Sequence, residues 1–222
     1  MAEKYGVVPP KFTKAWWEHF WMYYKWHTIV ICFIILAIGT TVYQKMTEPK
    51  YDITIVYAGE SYISEESTAK LTDAFTPFCE DIDENGEKNI AFTVLNMADD
   101  NADPQYAMAM SMKLQLALSE DESYLFILDE DLINRFAGEA ADECVFSPLS
   151  KWLEAPVPQD KIYNLHDTGF AISIEGNKYF EDAGIDTNGK YLAMRFYPRK
   201  DQEKQIPGYE ASVKLANEIF NN

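Results

Sequence analysis

Histidine and cysteine are scarce in this chain, three of each in 222 residues. Two of the histidines, His19 and His27, lie in an aromatic-rich stretch near the N-terminus, which leaves His166 alone in the rest. No Cys-x-x-Cys pair and no Cys/His metal spacing is present. Neither are G-x-S-x-G, H-E-x-x-H or a phosphate-cradling glycine loop. A hydrolase would have to be built around His166 in NLHDTG, with Asp167 orienting it and Ser173 as a nucleophile, and spacing alone does not join them. The expectation is therefore a protein that is not an enzyme. Basic residues are also short, 19 Lys and Arg against 36 Asp and Glu. Residues 1–44 hold four lysines and two glutamates, so the remainder carries 15 basic and 34 acidic groups, a net of −19. Such a surface repels phosphate backbones, which excludes nucleic acid as a partner, and suits cations or basic proteins. No internal repeat is visible.

Charge is missing altogether between Lys25 and Lys45, where 19 residues carry none. As a helix, Trp26 to Gln44 spans roughly 28 Å, close to the hydrocarbon thickness of a bilayer. Ile29 to Ile38 is apolar on every side, so no polar face remains to meet water. A buried core helix or a cleaved signal peptide is the alternative. About 28 residues precede the apolar run, and no clean small-x-small site follows it. A retained single-pass helix is expected over 26–44. Lys4, Lys11, Lys14 and Lys25 outnumber Glu3 and Glu18 before it, which predicts a cytoplasmic N-terminus and an extracytoplasmic remainder in the cell membrane.

Residues 1–25 read as a cytoplasmic and interfacial segment. Trp16, Trp17, Phe20, Trp21, Tyr23, Tyr24 and Trp26 form a dense aromatic belt of the kind that settles at headgroup depth. Trp17, Phe20, Trp21 and Tyr24 share one helical stripe, so a short interfacial helix should run into the span. The belt serves the lipid bilayer, or docks on another membrane protein.

A linker over 45–50 is short enough to hold the rest of the chain near the membrane, and residues 51–222 make one domain. Tyr51 to Ala58, Ile90 to Met97, Tyr124 to Leu128, Gly169 to Glu175 and Tyr191 to Tyr197 read as strands. Helices are expected from Ser64, with Pro77 ending it; from Asp103-Pro104 to Ser119; to Ala137 with a stop at Gly138; through Trp152; over Asn177 to Ala183; and after Pro207-Gly208, with Tyr209, Val213, Ala216 and Phe220 on one face. Ala155 to Asp160 reads as a loop. Met108, Met110 and Met112 read as core filler. The alternation predicts a mostly parallel sheet in a three-layer α/β domain. Cys79 and Cys144 are expected as two separate buried thiols.

Two groups of residues could bind. Ligands of open parallel sheets sit beyond the strand carboxyl ends, here Glu60, Asn96, Asp129, Glu130 and Asp131. Asp81, Asp83, Asn85 and Glu87, with Gly86 between, match the first half of an EF-hand-type calcium loop. Position 12 would be Phe92 instead of glutamate, which excludes a complete EF-hand and leaves a weaker Ca²⁺ site or a plain acidic turn.

The order of elements to Leu153, with Pro148 to Leu153 (PLSKWL) and Asn177 to Asp186 (NKYFEDAGID), resembles the first lobe of extracellular solute-binding proteins of the sugar-type ABC transporters. The resemblance covers residues 51–186. It implies a lobe of the periplasmic-binding-protein fold at a bacterial envelope. Only about 36 residues follow Asp186, room for one strand and one helix. A single lobe lacks half of a closing cleft. An accessory module for a transporter or envelope complex is therefore expected ahead of a tethered solute or cation sensor.

Overall fold

The computed structural model describes residues 9–47, 51–97, 103–119, 123–136, 144–165, 167–197 and 205–221. The chain divides into two units, Met1–Pro49 and Lys50–Asn222. The first is one helix, α1 (Lys14–Thr47), of 34 residues and about 51 Å. Thr13 caps it, with Oγ1 accepting from Trp16 N at 3.2 Å. No break separates the aromatic belt from the apolar run. Thr28 donates its hydroxyl to Tyr24 O, and Thr40 and Thr41 donate theirs to Ala37 O, so these polar side chains are satisfied within the helix. The apolar residues are exposed around the whole circumference. α1 is long and apolar enough to cross a bilayer, and a signal sequence would meet the same criterion.

Among the described residues, the second unit contains one sheet of six strands: β1 (Ile53–Gly59), β2 (Ile90–Asn96), β3 (Ser123–Asp129), β4 (Ile162–Leu165), β5 (Thr168–Ser173) and β6 (Lys190–Met194). Their order is β2-β1-β3-β6-β5-β4. β1 pairs in parallel with β2 and β3; the β3–β6, β6–β5 and β5–β4 pairs are antiparallel. The sheet is therefore mixed, where a mostly parallel one was expected. The reason is the length of the later connections. Only two residues separate β4 from β5, and the second, Asp167, sits at φ 62°. The helix between β5 and β6, α5 (Lys178–Asp182), has five residues and about 7.5 Å of length, too short to return the chain along a strand. β4 itself was not legible in the sequence, since four residues with Asn164 exposed carry no apolar alternation.

Helices cover both faces. On one face α2 (Glu65–Phe75), α5 and α6 (Ile206–Phe220) bury Leu71, Phe75, Phe180, Tyr209, Leu215 and Ile219 against Ile53, Ile55, Tyr57, Leu125 and Ile127. On the other α3 (Pro104–Ser119) and α4 (Glu130–Phe136) bury Leu114, Leu118, Leu132 and Ile133 against Val56, Ala58, Phe126 and Leu128. The alternation along β1 and β3 thus feeds two cores. Cys79 lies in the first and Cys144 in the second, on opposite faces, and both are free thiols. Burial pushes the Cys79 thiol up to about 11.

Local signals account for the helix ends. Ser64 Oγ accepts from Ser67 N at 3.1 Å at the start of α2, and Pro77 turns its end into a 3₁₀ turn, Thr76–Phe78. Asp103 Oδ1 accepts from Gln105 N at 2.9 Å beneath α3. The expected stop at Gly138 lies outside the described residues. Asn217 is a feature with no sequence signal. Its Oδ1 accepts from Glu154 N (2.6 Å) and Ala155 N (3.0 Å), and its Nδ2 donates to Trp152 O (2.8 Å). One buried side chain on α6 thereby holds the irregular stretch that follows the Leu149–Lys151 3₁₀ turn.

Replacing Asn217 by alanine strands those backbone groups. Asn217→Ala is expected to destabilise the domain by about 3 kcal/mol in urea unfolding with an unchanged m-value.

Candidate functional site

The strand carboxyl ends converge beside Gly59. The β1–β2 register places Asn96 directly across from Gly59, and Met97 N donates to Gly59 O at 2.8 Å. From the next strand Asp129 reaches over β1. Its Oδ2 accepts from Glu60 N at 2.8 Å, and its Oδ1 accepts from Lys190 Nζ at 3.1 Å. Lys190 also donates to Ser61 Oγ at 3.1 Å, and Tyr57 OH donates to Ser61 O at 2.9 Å. The lysine side chain is 4% exposed and the carboxylate 22%. Burial, then the nearby Asp129 carboxylate, raises the Tyr57 hydroxyl far above its ordinary range. A Cβ at Gly59 would stand 2.7 and 2.8 Å from the Asp129 oxygens, so only glycine admits this approach.

The structure therefore brings Asp129 together with the backbone of Glu60, and separates the other strand-end residues from them. The Glu60 side chain is exposed. Glu130 and Asp131 form the exposed first turn of α4, where Glu130 N donates to Gly189 O at 3.3 Å. Asn96 turns to the α2 face, its buried Oδ1 without a hydrogen-bond partner among the described residues. It lines a groove of about 500 Å³ at the sheet edge, between Tyr62, Ser64 and Thr68 at the start of α2 and Tyr106 and Lys113 of α3.

In the acidic turn, Asp81 Oδ2 accepts from Gly86 N (2.7 Å), Asp83 Oδ1 from Asn85 N (3.2 Å), and Asn85 Oδ1 from Glu87 N (2.7 Å). Gly86 sits at φ 90°. The Glu87 side chain is exposed, apart from the carboxylates. A residue that sequence spacing could not assign joins them. Asp52, just before β1, brings an oxygen within 4.8 Å of those of Asp81 and Asp83. Asp52 also accepts from Ile82 N (2.7 Å) and Asn89 N (2.8 Å), so it ties both ends of the turn to β1. This all-oxygen set has the chemistry of a hard-cation site and lacks the nitrogen and sulfur ligands of zinc.

Along the start of α1 and just before it, aromatic rings approach one another at every fourth residue. Phe12, Trp16, Phe20 and Tyr24 follow one another with centroids 5.7, 5.6 and 5.6 Å apart. Trp17, Trp21, Tyr23 and Trp26 stand exposed around it. His166 lies outside the described residues, and Ser173 Oγ accepts from Glu175 N at 3.2 Å.

The methionines of α3 are not all core. At 100° per residue, Met108 and Met112 lie 40° apart while Met110 lies on the opposite side. Met110 packs on the second core. Met108, Met112 and Leu116 are 61%, 56% and 54% exposed, one apolar stripe facing away from the sheet. The signal was available in the i, i+2, i+4 spacing, which no single helix face can bury.

Lys190→Met leaves Asp129 half-buried and unpaired, and is expected to cost about 2 kcal/mol, less than a fully buried pair because the carboxylate keeps some water. Adding Asp129→Asn should recover part of that loss in a double-mutant cycle read by thermal unfolding. Gly59→Ala is expected to destabilise by about 1–3 kcal/mol through overpacking. No protein-family model, no curated protein and no solved structure matches the chain, and nothing among them identifies a solute-binding relative.

Proposed function

We propose that this chain is a membrane-tethered docking module without catalytic activity, in which α1 spans the cell membrane with its N-terminus in the cytoplasm and the α/β domain holds another membrane or envelope protein outside. The observation that carries this is the stripe of Met108, Met112 and Leu116. Between Pro104 and Ser119 the only charged residue is Lys113, in a domain whose net charge is strongly negative. An apolar face of this kind on a charged surface is what protein interfaces are made of. Each of the three side chains, already partly buried, would stabilise a complex by about 1–1.5 kcal/mol when the rest is covered. Methionine suits such a surface, because its flexible thioether adapts to the partner's shape. The acidic surroundings match a partner whose apolar site has a basic rim.

Solute capture at the strand ends is less favoured, because Lys190 already occupies Asp129 and Gly59 closes the gap beneath it. Cation binding is the second reading, and Asp52 favours it by adding a third carboxylate to the acidic turn.

A photo-crosslinking residue at Met112 or Leu116, in native membranes, should form an adduct with one defined membrane protein. The same probe at Lys178, on the opposite face, should not. With the probe moved to Met108, Met112→Glu together with Leu116→Glu should abolish the adduct while leaving thermal unfolding within about 0.5 kcal/mol of the parent. Equal labelling from both faces, or a released domain whose intact mass shows α1 cleaved off, removes the proposal.

For the cation site, calcium at 100 times its dissociation constant should stabilise the domain by about 2.7 kcal/mol, and Asp81→Asn should remove the effect. Asp52→Asn should destabilise even without calcium, since Ile82 N and Asn89 N lose a charged acceptor. No calcium response leaves Asp52 with that structural role alone.

A further inference from the structure

The two ends of the sheet are built differently. β4 is four residues long, and its register with β5 shifts between Tyr163 and Asn164, so this edge is short and bulged. β2 has neither protection. Its seven residues, IAFTVLN, contain no charge and no proline, and all seven stay in register with β1. Proteins normally guard a strand edge with charge, proline, a bulge or a covering segment. Among the described residues, no loop or helix backbone hydrogen-bonds to the outer side of β2. Beside it runs the groove between α2 and α3, and Asn96 Oδ1 is buried there without a partner among the described residues.

We infer that β2 pairs antiparallel with β2 of a second copy of this chain, about a two-fold axis at Thr93, joining two sheets into one. The sequence of the strand is its own complement in that register. Thr93 meets Thr93, Phe92 meets Val94, and Ala91 meets Leu95. Threonine pairs and aromatic–β-branched pairs are among the favourable cross-strand combinations, and no like charges face each other. Phe92 and Val94 are half-buried against the first core, so the pairing completes their burial. Thr93 is exposed on the other face. Asn96 falls opposite Ile90 of the second copy. Lys88 of that copy, two residues further along, supplies a donor long enough to reach the orphaned Oδ1 on the diagonal. A two-fold pairing also closes on itself: each copy uses β2 once, and the bulged β4 edge takes no part.

This pairing is independent of the docking stripe on α3. Tyr106 and Lys113 line the groove at the edge, whereas Met108, Met112 and Leu116 point elsewhere on the helix. One surface can therefore fail its test while the other passes.

The test uses the full chain in detergent, with Cys32→Ser removing the exposed thiol of α1. Light scattering should report a dimer at micromolar concentration. Thr93→Cys should oxidise to a disulfide-linked dimer, because paired residues in an antiparallel ladder lie within disulfide range. Lys178→Cys should not. Thr93→Lys places two ammonium groups face to face and should weaken dimerisation about 100-fold or more. Its circular dichroism should match the parent, and its melting should match the parent's at concentrations below the dimer's dissociation constant, since Thr93 is exposed. A monomeric parent, a dimer that survives Thr93→Lys, or a Thr93→Cys chain that does not cross-link overturns the inference. Survival would place the contact in α1 or another face. A monomer that instead takes up a synthetic extended peptide along β2 would mean that the edge serves a different protein.

Discussion

Asp129 is the residue on which the domain's geometry turns. It stands where the parallel strands β1 and β3 meet the antiparallel strand β6, and its two oxygens hold the start of the chain beyond β1 and the first residue of β6. A carboxylate with a backbone donor on one oxygen and an ammonium on the other is well satisfied, which is what permits it to sit only 22% exposed. The rest of that end of the sheet depends on it. Position 59 has room for no side chain, Tyr57 is held with its hydroxyl on Ser61, and Lys190 is kept from water by a partner of opposite charge. At this end of the sheet, where open α/β sheets commonly receive ligands, the chain sets its own ion pair.

Among its exposed acidic residues the chain also leaves three apolar surfaces open. α1 exposes hydrocarbon on every side, α3 presents methionine and leucine away from the sheet, and β2 ends the sheet with an uncharged strand. Each is costly in water, and a different kind of neighbour would relieve each: lipid for α1, a protein surface for α3, a strand for β2. These three surfaces are what the docking and strand-pairing proposals rest on.

The acidic residues show how context divides what composition lumps together. Asp129, Glu130 and Asp131 are consecutive, yet the change from strand to helix turns the first inward and leaves the next two in water. Asp52 and Asp81 are 29 positions apart, and the turn before β2 folds back to bring their oxygens together. Nothing in linear spacing distinguishes the two cases, because burial and proximity are settled by which strand lies beside which.

Local chemistry was enough to read several features from the sequence. The uncharged run after Lys25 makes a helix whose central stretch, Ile29 to Ile38, has no polar face. Ser64, Asp103 and Pro77 mark helix ends because their side chains replace or remove backbone hydrogen bonds within a few residues. The β-branched and aromatic runs become strands, and their alternation feeds a core on each face of the sheet. Only the tertiary structure decided the rest. The mixed order of the sheet depends on whether a connection is long enough to return along a strand. The exposure of Met108 and Met112 depends on which side of α3 meets the sheet. Asn217 and Lys190 became structural only once distant backbone and carboxylate groups were placed against them. Periodicity and capping act over a few residues and are written in order along the chain. Pairing, burial and the partnering of charges act across space, between residues whose separation in sequence says nothing of the distance between them.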